Sequence, residues 1–164
     1  MVDVVVSRIV HLVVAAIWTG SVVFVAGVLL PRIREGGFDA APLEAFPPRI
    51  AWLSRASALV LVLTGGYLAL VEYRVAGYGL GEGNGPALLT TLEGQLVLAM
   101  TALWLVLAGL VEVGSSRLSA GFEDRLVREP ADRALPFFQG ASIVAVLALI
   151  AAGLITSGAT ALVP

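Results

Sequence analysis

One apolar run constrains the fold of this chain more than any other feature. It extends from Leu12 to Leu30 and contains no acidic or basic residue. The hydrocarbon core of a bilayer needs about 20 apolar residues of helix, so the run predicts a membrane-spanning helix. His11, the single histidine of the chain, precedes it directly. An ionisable side chain at the edge of a span is costly unless it has a partner or a function.

The composition agrees with a membrane location. Of the 164 residues, 59% are hydrophobic and 13% are charged, whereas a soluble domain carries about 25% charged residues. The first apolar run is longer than the 7–15 residues or so of a signal-peptide core, so we interpret it as a retained helix. The sequence therefore predicts an integral membrane protein.

Three further apolar runs complete a set of four predicted spans. The predicted helices cover about residues 4–30, 50–73, 88–113 and 135–160. Only helices satisfy their own backbone within lipid, unless strands close into a barrel, and no run here alternates like barrel strands. Because the connections are short, we expect an all-α, antiparallel four-helix bundle forming a single transmembrane domain over residues 1–164.

The distribution of arginine predicts the orientation. The chain has no lysine, and the first and third connections carry most of the arginines: Arg32, Arg34, Arg49, Arg117, Arg125, Arg128 and Arg133. The middle connection carries Arg74 alone. The positive-inside rule then places the first and third connections in the cytoplasm and both termini outside. The lysine-free composition suggests a prokaryotic plasma-membrane protein from a GC-rich genome, such as that of a halophilic archaeon.

Several polar residues fall near the predicted outer ends of the helices: Arg8, His11, Tyr67, Glu72, Thr90, Thr91, Glu93, Gln95, Thr156, Ser157 and Thr160. One interpretation is an outer pocket in which His11 is an axial ligand, a metal ligand or a proton acceptor. Arg8 would then face an anionic group. The alternative is a set of interfacial side chains that snorkel or bond their own helix.

Two other groups of residues lead to structural expectations. Trp18 and Trp104 fall near mid-depth, where they would either pack helices together or line a planar cofactor. Arg55 and Glu112 match in depth near the cytoplasmic side and predict an ion pair. Small residues would allow close helix contacts, at Ala16 and Gly20, at Gly65 and Gly66, and at Gly153 and Ser157.

Two short patterns resemble a known family. His11, Trp18 and Gly20 form an H-x6-W-x-G pattern, and Ser54-Arg55 is followed by Thr64-Gly65-Gly66 and Tyr67. These patterns resemble the CopD-like membrane domain, mainly over the first two helices. The resemblance implies a multi-pass membrane protein that takes part in copper uptake or copper resistance.

The chain is more distantly similar to HemJ-like four-helix proteins, which have a histidine in the first helix and Pro-Arg at its cytoplasmic end. Pro31-Arg32 fits that pattern. The similarity implies a b-type haem, with His11 as the position that would carry over as its ligand. HemJ-like proteins have a lysine early in the third helix, where this chain has Gln95.

The candidate ligands leave the cofactor open between copper and haem b. For a haem or similar group we expect contacts from His11, Arg8, Trp18, Tyr67 and Gln95. For copper, which takes imidazole and soft sulfur ligands, we expect His11 and Met100. One chain cannot supply all the ligands of a copper cage or both histidines of a bis-histidine haem. Further ligands would therefore come from a second copy or a membrane partner subunit.

The sequence therefore supports three hypotheses for the function. The first is a CopD-like component of copper handling or transport, the second a haem-binding redox protein, and the third a structural or accessory subunit without a cofactor. We assign no catalytic residue and favour a non-enzymatic role, because His11 is the only candidate base and no phosphate-binding, dinucleotide or zinc motif is present. The net charge of −2 argues against a nucleic-acid partner, which leaves the lipid bilayer as the expected environment.

Overall fold

The fold was analysed in a computed structural model that describes residues 2–36, 43–71, 92–123 and 126–157. These ranges are helical, with short turns, and contain no strand. The helices are α1 (Val2–Phe24), a π-helical turn (Val25–Leu29), α2 (Leu30–Arg34), α3 (Phe46–Val71), α4 (Leu92–Glu123) and α5 (Arg128–Thr156). Because α1, the π-turn and α2 are continuous, the described residues form four helical segments long and apolar enough to cross a membrane.

The first segment continues past the predicted end at residue 30 because a π-turn accommodates Pro31. The backbone N–H of Leu30 donates to the carbonyl of Val25, five residues earlier. In a regular α-helix the ring of Pro31 would meet the carbonyl four residues before it, and its missing N–H would leave that carbonyl unpaired. The wider turn relieves this conflict, so the helix extends to Arg34.

The other segments also differ from the predicted bounds. Helix α3 begins at Phe46, with Pro47 and Pro48 in its first turn, where a missing N–H is harmless. Helix α4 continues to Glu123 instead of ending near residue 113, and α5 begins at Arg128 instead of near residue 135. Charged residues outside the membrane do not interrupt a helix, so the predicted connection is largely helical. The predicted ends at residues 73, 88 and 160 lie outside the described residues.

Side-chain packing is uneven along the bundle. Residues exposed by no more than 1% include Leu30, Ile33, Val111, Leu118, Phe122, Ala131, Ala134 and Phe138. In α1, by contrast, the first buried residue is Trp18. We call the tightly packed half the Arg55 end and the other half the His11 end. The helices are therefore closely packed at the Arg55 end and leave space between them at the His11 end.

The prediction of close helix contacts at the small residues is mostly wrong. A Cβ atom added at Gly20, Gly66 or Gly153 would have nothing within 4 Å, and Ala16 and Ser157 are exposed. Close helix contacts occur elsewhere, because a Cβ at Gly114 would lie 2.8 Å from Cε2 of Phe138 and one at Gly121 would overlap Pro130. Of the predicted small residues, Gly65 alone faces another helix closely, and its neighbour is His11.

Ion pairs connect the helices at the Arg55 end. The predicted pair is confirmed: Nε of Arg55 donates to Oε2 of Glu112 at 3.2 Å, and Nη2 contacts Oε1. A second pair joins Arg34 of α2 to Asp132 of α5. These side chains are about half exposed or more, so the pairs fix the register of neighbouring helices more than they add stability.

Candidate cofactor site

The site is centred on a contact between α1 and α3. Nδ1 of His11 lies 2.8 Å from Oγ1 of Thr64. The Thr64 hydroxyl in turn donates to the backbone carbonyl of Val60, at 2.7 Å, one helical turn earlier. His11 is half-buried. The imidazole is therefore held on one side by a hydroxyl that is itself anchored to the α3 backbone.

Two further polar contacts join the same helix faces. The Ser7 hydroxyl donates to the backbone carbonyl of Thr64 at 3.4 Å, and the Tyr67 hydroxyl donates to the carboxylate of Asp3. Asp3, Ser7 and His11 are spaced four residues apart, so they share one face of α1. This polar ladder fixes the rotation of α1 against α3 and directs His11 toward the middle of the bundle.

Gly65 allows the imidazole to lie close to α3. A Cβ atom at this position would be 3.0 Å from Cε1 of His11, a separation that side-chain carbons rarely adopt. The absence of a side chain at Gly65 therefore makes room for the ring beside Thr64.

A cavity of 340 Å³ opens next to His11. Its volume falls in the range of small-molecule sites, about 300–1,000 Å³. All four long helical segments contribute to its wall, which is apolar except for a few side chains such as His11, Thr19 and Thr101. On α1 it extends from His11 to Thr19, a length of about 12 Å at 1.5 Å per residue. The cavity is thus elongated along α1 and nearly without polar groups.

Small residues create this space, and two indole rings border it. Short side chains and glycines form much of the wall: Ala15, Gly65, Gly66, Ala69, Ala145, Ala148 and Ala152. Trp18, which is 2% exposed, and Trp104 line the part away from His11. The Nε1 atoms of both rings are buried without a hydrogen-bond partner among the described residues. Trp18 and Trp104 are thus the aromatic residues of the described wall.

The structure brings some of the predicted cofactor residues together and separates others. His11, Trp18 and Met100 line the same cavity. Arg8, Tyr67 and Gln95 are not among the described residues of its wall. Tyr67 bonds Asp3 instead, and Arg8 and Gln95 have interactions of their own. Glu72 and the side chain of Glu93 lie outside the described part of the chain.

Two residues of the site were not expected from the sequence. Thr64 stood out in the sequence only as part of the Thr64-Gly65-Gly66 pattern, and Asp3 belonged to no pattern. A threonine within an apolar helix usually bonds its own backbone, and Thr64 does so as well. The signal that could have identified it is the glycine that follows, which lets a neighbouring ring approach.

The donor atoms limit what the cavity can hold. Within the described ranges no three His, Cys, Asp or Glu residues group to form a metal site. Among the described residues of the wall, His11 and Met100 carry nitrogen and sulfur donors suited to a metal. A bare ion would therefore find at most two such donors, whereas a ligand that brings its own donors would need only one.

Comparison with known proteins does not extend this description. No protein-family model matches the chain, and no curated protein or solved structure matches it either. The function proposed next therefore depends on the geometry of the chain itself.

Proposed function

We propose that this protein is a multi-pass membrane protein that binds b-type haem in the cavity, with His11 as the iron ligand. One observation carries the proposal. His11 lines the cavity, its Nδ1 is anchored on Thr64, and Nε2 has no hydrogen-bond partner among the described residues. A histidine that ligates a metal characteristically has one ring nitrogen bonded to an oxygen and the other directed at the metal.

The donor set favours haem over a bare ion. A tetrapyrrole supplies four nitrogen ligands itself, so one imidazole suffices to hold its iron, as in globins. The apolar wall suits the macrocycle, and it includes the aromatic residues Trp18 and Trp104. Leu12, Val62 and Leu149 line the cavity and are also 37–47% exposed at the sides of the bundle. The edge of a large ligand can therefore extend between helices toward lipid.

Each part of the site would have a separate role. Bound haem would supply one-electron chemistry. His11 would hold the iron, and Thr64 would hold the imidazole through Nδ1. The apolar wall excludes water, which affects the reduction potential of a haem.

We propose the membrane arrangement on the same basis. The four spans form an antiparallel bundle with both termini outside, in the plasma membrane of a prokaryote. The contact between Asp3 and Tyr67 and the pair between Arg34 and Asp132 support this topology. The arginine distribution supports the orientation, and the lipid bilayer is the partner of the exposed apolar faces. We propose a second copy of the chain or a membrane partner subunit as the source of any further ligand.

The proposal is tested by the absorption spectrum of the purified protein. The protein is expressed with added haem precursor and purified in detergent, beside the His11→Ala variant. We expect a Soret band in the wild type and its loss in His11→Ala. Added imidazole should restore the band in the variant, because it replaces the lost ligand in an intact cavity. A wild-type protein that remains colourless and does not take up added haem would overturn the proposal.

Copper handling is the second candidate function. His11 and Met100 line the same cavity, and imidazole with thioether is a donor combination that suits Cu(I). On this view Met100→Leu should abolish copper binding and copper-dependent growth, while leaving haem binding unchanged. Copper uptake that is equal in deletion and complemented cells would exclude this function. Binding of neither haem nor copper would leave the accessory-subunit hypothesis.

A further inference from the structure

We infer that Thr64 holds His11 in the tautomer with its proton on Nδ1, so that His11 presents the lone pair of Nε2 to a ligand. The inference concerns the chemical class of the ligand: a metal centre, or a group that donates a hydrogen bond. It stands whether or not that ligand is haem.

The direction of the hydrogen bonds follows from the heavy atoms. Oγ1 of Thr64 has two close partners, the carbonyl oxygen of Val60 at 2.7 Å and Nδ1 of His11 at 2.8 Å. A carbonyl can only accept, and two oxygens at 2.7 Å repel each other unless a proton lies between them. The single hydroxyl proton of Thr64 is therefore directed at Val60. The hydroxyl oxygen must then accept from His11, which places a proton on Nδ1.

The other ring nitrogen is left as an acceptor. A neutral imidazole has one N–H and one lone pair, so a proton on Nδ1 leaves Nε2 without one. No described residue donates a hydrogen bond to Nε2, and the ring lines the cavity. The site thus offers a lone pair at the His11 end of an otherwise apolar space.

This assignment separates two classes of planar apolar ligand. A molecule with a hydroxyl or N–H group can donate to Nε2, and a metal centre can be ligated by it. A molecule whose only polar groups are carbonyl or ether oxygens gains nothing from His11. Hydroxyl-bearing aromatic compounds should therefore bind more tightly than their ethers.

The tautomer can be measured directly because His11 is the only histidine of the chain. Ligand-free protein labelled with 15N-histidine is examined by NMR in mildly alkaline detergent solution, where imidazole is neutral. We expect a protonated, pyrrole-type Nδ1 and a pyridine-type Nε2 in the wild type. Thr64→Ser should retain this spectrum, because the hydroxyl remains. Thr64→Val should move intensity to the tautomer with its proton on Nε2.

The outcomes decide the inference without reference to haem. A wild-type protein with its proton on Nε2 would overturn it, as would a Thr64→Val spectrum identical to that of the wild type. If Thr64→Val fails to fold, the wild-type and Thr64→Ser spectra still show which ring nitrogen of His11 carries the proton. A chain that binds no haem but shows the expected tautomer would reject the proposed function and keep this inference.

The ligand class is tested with a matched pair of probes, 1-naphthol and 1-methoxynaphthalene. Binding is followed by quenching of tryptophan fluorescence, to which Trp18 and Trp104 contribute at the cavity. We expect the naphthol to bind about fivefold more tightly in the wild type, the effect of about one net hydrogen bond. This preference should disappear in His11→Ala. An equal ratio of affinities in the wild type and His11→Ala would contradict the assignment.

Discussion

Gly65 lies against the imidazole of His11 so closely that a Cβ atom there would be 3.0 Å from Cε1 of the ring. The neighbouring residue Thr64 bonds Nδ1 of the same ring. Two consecutive positions of α3 therefore fix one side chain of α1, the first by a hydrogen bond and the second by leaving room. This pair of contacts positions the one side chain of the described cavity wall that can ligate a metal through nitrogen.

Gly65→Ala should weaken ligand binding by displacing the ring of His11. Moving a side chain out of its rotamer minimum costs about 0.5–1.5 kcal/mol. This cost corresponds to an affinity that is about 2- to 12-fold lower. The measurement is a haem titration of the ligand-free protein. Gly66→Ala is the matched control, because Gly66 also lines the cavity but has nothing within 4 Å of an added Cβ. Equal effects of the two substitutions would show that the ring is not held in this way.

Ala148→Phe should block the cavity while leaving the bundle intact. Ala148 is part of the wall, so a large ring at this position occupies the space of a ligand. Its neighbour Leu147 is exposed and does not line the cavity, which makes Leu147→Phe the control. We expect haem uptake to be lost in Ala148→Phe and retained in Leu147→Phe, with both variants eluting as the wild type in size-exclusion chromatography. Normal uptake by Ala148→Phe would place the ligand elsewhere.

Gly121→Ala should destabilise the Arg55 end of the bundle. An added Cβ would overlap Pro130 of α5, and overpacking of this kind typically costs about 1–3 kcal/mol. Gly109→Ala serves as the control, because nothing lies within 4 Å of an added Cβ there and alanine favours helix over glycine. Thermal unfolding in detergent should show a lower midpoint for Gly121→Ala and an unchanged or higher one for Gly109→Ala. The reverse order would contradict the packing described here.

The pair between Arg55 and Glu112 should behave as one unit. Arg55→Gln and Glu112→Gln should each lower the unfolding midpoint only slightly, because the pair is exposed. The double variant should lower it no further than the larger single effect, because either change removes the same contact. Arg32→Gln is the comparison, since Arg32 bonds Glu35 within its own segment and has no bond to another helix among the described residues. Strictly additive losses for Arg55 and Glu112 would show that the contact contributes nothing.

The four spans could be predicted from the sequence because hydropathy and length determine them directly. The pair of Arg55 and Glu112 could be predicted as well, since it needs only matching depths on two helices. The end of α4 and the start of α5 could not be predicted in this way. The charged residues between 117 and 134 suggest a connection, but charges on a helix that leaves the membrane are stable in water. The π-turn before Pro31 likewise depends on local backbone geometry that residue types do not specify.

Only part of the site could be predicted from the sequence. His11 and Trp18 were candidates because each is an unusual residue at its depth, and Met100 because its thioether can bind copper. All three line the cavity. The partner of His11 could not be found in this way, because the sequence does not specify how α1 is rotated against α3. The cavity itself results from many alanines and glycines at facing positions, and such residues are common throughout the chain.

Resonance Raman spectroscopy of the haem-loaded protein tests the assignment of His11 most directly. The ferrous protein should show an iron–histidine stretching band, because His11 is the only histidine available to ligate the iron. The band should be absent in His11→Ala and should shift in Thr64→Val, where the bond to Nδ1 is lost. Haem that binds wild-type protein and His11→Ala equally, without an iron–histidine band in either, would contradict the assignment of His11 as the ligand.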